Sequence, residues 1–173
     1  MNQADISGSE ELLETVDKYG NVLGLARRSE LHGNPSLIHR VVHVLLFDKK
    51  GRLLLQKRST KKDVAPGKWD TSVGGHIIPG EDAADAAARE MKEELGVTGC
   101  SLQLRYSYLF SNDVESELVY TFCCEYEGGF SFSKEEVEEI AFWEIEEIKA
   151  QLGKGIFSGQ FEKEINRLLR HSG

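Results

Sequence analysis

The chain has 173 residues, 40% of them hydrophobic, enough for the core of one globular domain. Its 21 Lys and Arg stand against 29 Asp and Glu, a net charge of −8 that repels polyanions. That balance excludes an extended grip on nucleic acid but leaves room for a small anion held by a cation.

The apolar runs are too short to span a bilayer, and the N-terminal MNQADISGSEE has neither the basic nor the apolar region of an export signal. Cys100, Cys123 and Cys124 are odd in number, and the adjacent pair would face opposite sides of a strand, so no disulfide framework is expected. A cytoplasmic protein, away from membranes, is the expectation. Residues 1–10 read as a loose tail and residues 11–173 as a single domain.

In chain order, Glu11–Asp17 and Val22–Ala26 flank the turn signal KYGN and predict a hairpin, and Ser29 is a candidate N-cap for a short helical turn through His32. Val41–Phe47 and Arg52–Lys57 predict two strands around DKKG, the first almost wholly apolar, as in a strand covered on both sides. The stretch STKKDVAPGKWDTSVGGHIIPGE is rich in Gly and Pro and reads as shaped, functional loop. A helix starting at Glu81 or Asp82 runs to Leu95 and stops at Gly96. Strands are predicted over Ser101–Phe110, Leu118–Tyr126 and Glu139–Trp143, with helices over Ile145–Leu152 and Phe161–Arg170. Mixed elements of this kind favour the α/β class, with helices on both faces of a mixed sheet.

On the central helix, Ala84, Ala87, Ala88, Met91 and Leu95 share one stripe that would pack on the sheet, and Glu90, Glu93 and Glu94 fall together beside it. Like charges three and four residues apart repel, and the last turn of a helix disfavours anions. A solvated face is the plain explanation for such a cluster. Next to a Gly-rich loop, oxygen ligands on a rigid helix also suit a hard divalent cation, Mg²⁺ or Mn²⁺, which would turn the repulsion into binding.

Gly75, five residues, Glu81, seven residues, then Arg89-Glu90-Met91-Lys92-Glu93-Glu94-Leu95-Gly96-Val97 resembles the Nudix box, residues 75–97, at every fixed position. The resemblance implies the Nudix α/β/α sandwich, a small-molecule diphosphate as substrate, and metal held by Glu90, Glu93 and Glu94, one of which could activate a water. It further implies a metal contact from the Gly75 carbonyl and a structural ion pair between Glu81 and Arg89.

Outside the box, most of residues 11–165 resemble the branch that contains isopentenyl-diphosphate isomerase. QKRSTKKDVAPGKWDTSVGGH matches the isomerase segment that implies phosphate contacts from Arg58 and Lys62 and metal ligation by His76. His32 and His39, seven apart, and Glu115 and Glu117 match the remaining ligands of a second metal site, and Tyr106 matches the catalytic tyrosine. Solvated histidines and a solvent-facing pair of glutamates remain the bland alternative. His43, inside an apolar strand, reads as a satisfied core residue, and Trp69 and Trp143 as core aromatics.

The departures weigh more than the matches. The cysteine that delivers a proton in the isomerase is replaced by Gly74, Gln160 in FSGQF stands where an aromatic would shield a carbocation, and the Nudix box is intact. A divalent-metal-dependent hydrolase of a diphosphate linkage, such as that of a nucleoside diphosphate derivative, is therefore expected. Isomerisation using Glu117 and Tyr106, or a non-catalytic nucleotide-binding module, are the alternatives. Monomer and homodimer are both open.

Overall fold

The computed structural model describes residues 10–172; the expected tail, apart from Glu10, lies outside the described residues. The elements are β1 (Leu12–Val16), β2 (Val22–Arg27), α1 (Arg28–Leu31), β3 (Ile38–Phe47), β4 (Leu53–Arg58), β5 (Trp69–Asp70), β6 (Val73–His76), α2 (Ala83–Leu95), β7 (Gln103–Ser111), β8 (Ser116–Glu125), β9 (Val137–Trp143), α3 (Ile145–Gln151) and α4 (Gly159–His171). No helix among the described residues is long and apolar enough to cross a membrane.

β3 organises the sheet. It runs parallel to β8 from Ile38↔Ser116 to Phe47↔Glu125, and pairs antiparallel with β1, β6 and the start of β4. β7 closes against β8, and β4 carries β5 and β9. One parallel pairing among antiparallel ones makes the sheet mixed. The unbroken apolar run of β3 follows from this place, since both of its faces are covered.

Alternate residues of β3 supply the two faces. Val42, Val44 and Leu46 pack with Phe122 against Ala86, Ala87, Met91 and Leu95 of α2. Leu45, with Leu53 and Leu55, packs against Ile148 of α3 and Phe161, Ile165 and Leu168 of α4. Helices thus cover both faces, giving the expected α/β/α sandwich. Trp69 and Trp143 stack edge to face at 5.3 Å on the α4 side. Cys123 and Cys124 enter opposite cores, and all three cysteines are free.

Three local readings need correction. The Gly-rich loop contains two short strands, β5 and β6; glycines 74 and 75 hide β6 from any propensity argument, and the strand exists because β3 offers it a partner edge. Ser29 lies inside α1 rather than capping it: the Arg27 amide donates to Glu30 Oε2 at 2.7 Å, and the Ser29 amide is taken by Glu10 Oε1 at 2.8 Å. On α2, Ala84 and Ala88 are exposed, while Ala86, Ala87, Met91 and Leu95 are buried. A run of alanines carries too little contrast to set the helix phase, and the helix is turned so that Glu90 and Glu94 face the sheet. The α2 stop is as expected, with Gly96 left-handed at φ 66°.

Candidate active site

α2 meets β6 at the floor of a cleft of about 530 Å³. The contact is close because Gly75 has no side chain: a Cβ there would run into the Glu90 carboxyl group. The Gly74 amide donates to Glu94 Oε2 at 3.1 Å. Burial and the neighbouring Glu90 charge push the Glu94 carboxyl up to about 8, and burial also raises Glu90. Glu93 is the most solvated of the three, with its side chain 58% exposed. All three carboxylates line the cleft.

Arg89 fixes this corner. Its Nε and Nη2 donate to the two Glu81 oxygens at 2.8 and 2.9 Å, Nη2 also to the His76 carbonyl at 3.0 Å, and Nη1 to Glu90 at 2.8 Å. The fork joins the loop after β6 to the helix that bears the carboxylates. Glu81 is held below its usual range by this bond.

The other end of the cleft gathers histidines from three elements. His32 follows α1, His39 lies on β3 and His76 on β6, with ring centres 5.2 to 5.9 Å apart. The β3–β8 register sets His39 beside Glu117, and Glu115 lies 3.1 Å from His32 Nε2 without hydrogen-bond geometry. Both His39 ring nitrogens, His32 Nε2 and Glu115 Oε2 are buried with no hydrogen-bond partner among the described residues. Burial and its two histidine neighbours press His39 down to about 3, so its ring is neutral, while burial and Glu115 raise Glu117 to about 7. Ligand atoms of His32, His39 and His76, and of His39, Glu115 and Glu117, lie within 4.8 Å of one another. Orphaned buried donors of this type fit a cation with mixed nitrogen and oxygen ligands. The carboxylates of α2 fit a harder one.

Arg58 and Lys62 also line the cleft. Arg58 Nε donates to the Val64 carbonyl at 2.8 Å and Nη1 lies 3.8 Å from Asp70, while Lys62 pairs with Glu136. The catalytic tyrosine of the isomerase match is arranged differently from the expectation, and the residue at the aromatic's position is not. Tyr106 donates to Glu164 Oε1 at 2.5 Å and is not among the residues lining the cleft. Gln160 does line it and donates to Glu117 Oε2 at 2.5 Å.

Sequence reasoning missed a buried cluster under the cleft. Glu164 of α4 is fully buried and takes hydrogen bonds from His43 Nδ1 (2.8 Å), Tyr106 (2.5 Å), Tyr108 (2.5 Å) and Thr121 (3.0 Å). One signal was available: Glu164 sits on the apolar stripe of its helix with Phe161, Ile165 and Leu168. An acid at such a position needs partners.

The NUDIX domain profile matches residues 37–162. The chain is 36% identical over 156 residues to the isopentenyl-diphosphate Delta-isomerase of Streptomyces avermitilis, spanning 87% of this chain and 79% of that protein. It is 31% identical over 141 residues to an uncharacterized Nudix hydrolase of Yersinia pestis, spanning 82% of this chain and 77% of that protein. A Deinococcus radiodurans crystal structure superposes with a TM-score of 0.79 over 91% of this chain and 98% of its own, at 23% identity, which speaks for the fold. A profile that spans most of the chain agrees with the helix of carboxylates packed on a glycine strand, and the chain belongs to the Nudix family.

Proposed function

We propose that the protein hydrolyses a diphosphate linkage in a small polar molecule and uses a divalent cation, Mg²⁺ or Mn²⁺, held by Glu90, Glu93, Glu94 and the Gly75 carbonyl. The observation that carries this is the pairing of a complete acidic helix with a glycine at position 74. A cation bound there neutralises phosphate oxygens and lowers the pKa of water.

The chain's own residues supply the rest. Arg89 and Glu81 hold the helix against the strand, so the carboxylates are set before substrate arrives. Arg58 and Lys62 bring positive charge to a cleft dominated by acids, where they suit phosphate oxygens. Glu93, the most solvated carboxylate, is the one best placed to take a proton from water in the open cleft. His43, Gln56, Asp70, Thr71 and Gln160 give the floor a polar lining that suits a sugar or nucleoside better than a prenyl chain. His32, His39, His76, Glu115 and Glu117 would hold a second cation.

The test is turnover of a diphosphate panel, nucleotide sugars and dinucleotides included, with Mg²⁺, repeated with Glu93→Gln and Glu94→Gln. Equal turnover by all three proteins rules the proposal out.

Identity to proteins named as isomerases favours a second reading, prenyl-diphosphate isomerisation. Against it stand Gly74 in place of an acid and Tyr106 turned to Glu164. Solvent deuterium appearing in the allylic product would establish it.

A further inference from the structure

Four residues form a row across the sheet on the α4 side. Tyr106 of β7 pairs with Thr121 of β8, Thr121 with His43 of β3, and His43 with Gly74 of β6. Glu164 descends onto this row and takes hydrogen bonds from its first three members and from Tyr108. The fourth member has no side chain, which opens the row towards the cleft at that point. A Cβ on Gly74 would stand 3.4 Å from His43 Cδ2 and 3.8 Å from Nε2.

The bond from Nδ1 to Glu164 thus leaves Nε2 as the nitrogen turned to Gly74, and His43 lines the cleft. Four donors fill the acceptor sites of the carboxylate and keep it ionised in the core. A buried carboxylate on one imidazole nitrogen fixes the ring and favours a proton on both. Although its burial alone would lower the ring, His43 is raised overall by Glu164. A bond with only a packing role would be better replaced by apolar residues, since burying the pair costs desolvation. Here the pair ends on a nitrogen at the cleft.

We propose that His43 is a substrate-contacting residue whose Nε2–H donates to an oxygen of the bound diphosphate, and that Glu164 is its positioning residue. Arg58, Lys62 and His43 then stand as donors among the acids that line the cleft. The proposal rests on the chain acting on diphosphates.

The probe is methylenediphosphonate, a diphosphate that cannot be hydrolysed, added with Mg²⁺ to the full chain labelled with ¹⁵N. The expected result is that the His43 Nε2 resonance moves on binding while Nδ1 keeps the signature of a protonated donor. Movement of the Gly75 amide with no change at Nε2 overturns the role of His43 and leaves the diphosphate reading standing. No movement at Gly75 or His43 overturns both. Calorimetry supplies a second readout: His43→Ala should bind the probe about tenfold more weakly, the loss expected for one charge-assisted hydrogen bond, with part of it restored in His43→Gln. Unchanged affinity in a folded His43→Ala protein also overturns the proposal. In Glu164→Gln, which keeps the side-chain size, the Nε2 response should shrink.

Discussion

Gly75 and Glu90 occupy space that only a glycine leaves free: a methyl group on residue 75 would meet the carboxyl group of residue 90. Gly75→Ala should therefore push Glu90 aside without disturbing the α2 core. The expected outcome is metal affinity lower by roughly 10–100-fold, the cost typical of displacing a ligand's support. Isothermal titration with Mn²⁺ and circular dichroism of the same sample check both parts.

Arg89 serves Glu81, Glu90 and the His76 carbonyl at once, so Arg89→Ala strands several acceptors. The loss expected is about 2 kcal/mol of stability, read from urea unfolding, because the removed hydrogen bonds are charge-assisted but partly solvated. The pair has a pH signature. Glu81 is held below its ordinary 4.5, so its contribution is present above that value and is lost as pH falls through the lower folded value. Acid unfolding of Arg89→Ala should start at higher pH than in the wild type.

Glu94 has the opposite sign. Burial and Glu90 raise it from 4.5 to about 8, so in the metal-free protein the neutral form is favoured below that value and stability declines as pH rises from 4.5 to about 8. Mg²⁺ should therefore raise Tm more at pH 9 than at pH 6. Glu94→Gln should raise the metal-free Tm at pH 9 by a few degrees, on the order of 4 °C per kcal/mol, while lowering hydrolysis. Differential scanning fluorimetry with and without Mg²⁺ measures this; a metal-free Tm that climbs towards pH 9 contradicts it.

His39 is buried with neither ring nitrogen hydrogen-bonded among the described residues. Its depressed value means that the unfolded chain takes up a proton below about 6.5 that the folded chain refuses, so stability falls as pH drops from 6.5 towards 3. Mn²⁺ or Zn²⁺ at pH 7 should raise the Tm of the wild type through this site. His39→Ala, which leaves the α2 carboxylates intact, should lose that part of the increment.

The fold could be read from the sequence wherever one pattern dominated: the apolar run of β3, the stop at Gly96, and the spacing from Gly75 to Val97. The pairing of β6 was hidden because its two glycines have no strand propensity, and the phase of α2 because alanines do not distinguish faces. Within the site, the box and the five residues from His32 to Glu117 were accessible through spacing and resemblance. The His43–Glu164 bond was not, since it joins residues 121 positions apart and each has an ordinary local explanation.

Gly74→Cys tests whether one missing atom group separates this protein from an isomerase. The open space before His43 accepts a side chain at ordinary contact distance, so Tm should stay within about 3 °C. Proton transfer to a double bond should still be absent, with no deuterium in a prenyl-diphosphate incubated in D₂O, because the Tyr106 hydroxyl remains bound to Glu164. Deuterium incorporation would show that the tyrosine is not needed.

β3 carries His39 and His43 four residues apart on one face, opposite Glu117 and Thr121 of β8. A single alignment of two neighbouring strands thus sets the His39–Glu117 pair of the histidine end and the ring beside Gly74 together. Any insertion or slip that re-times this alignment would dismantle both at once, so the two cannot be tuned separately by sliding the backbone. They can diverge only through exchanges of individual side chains.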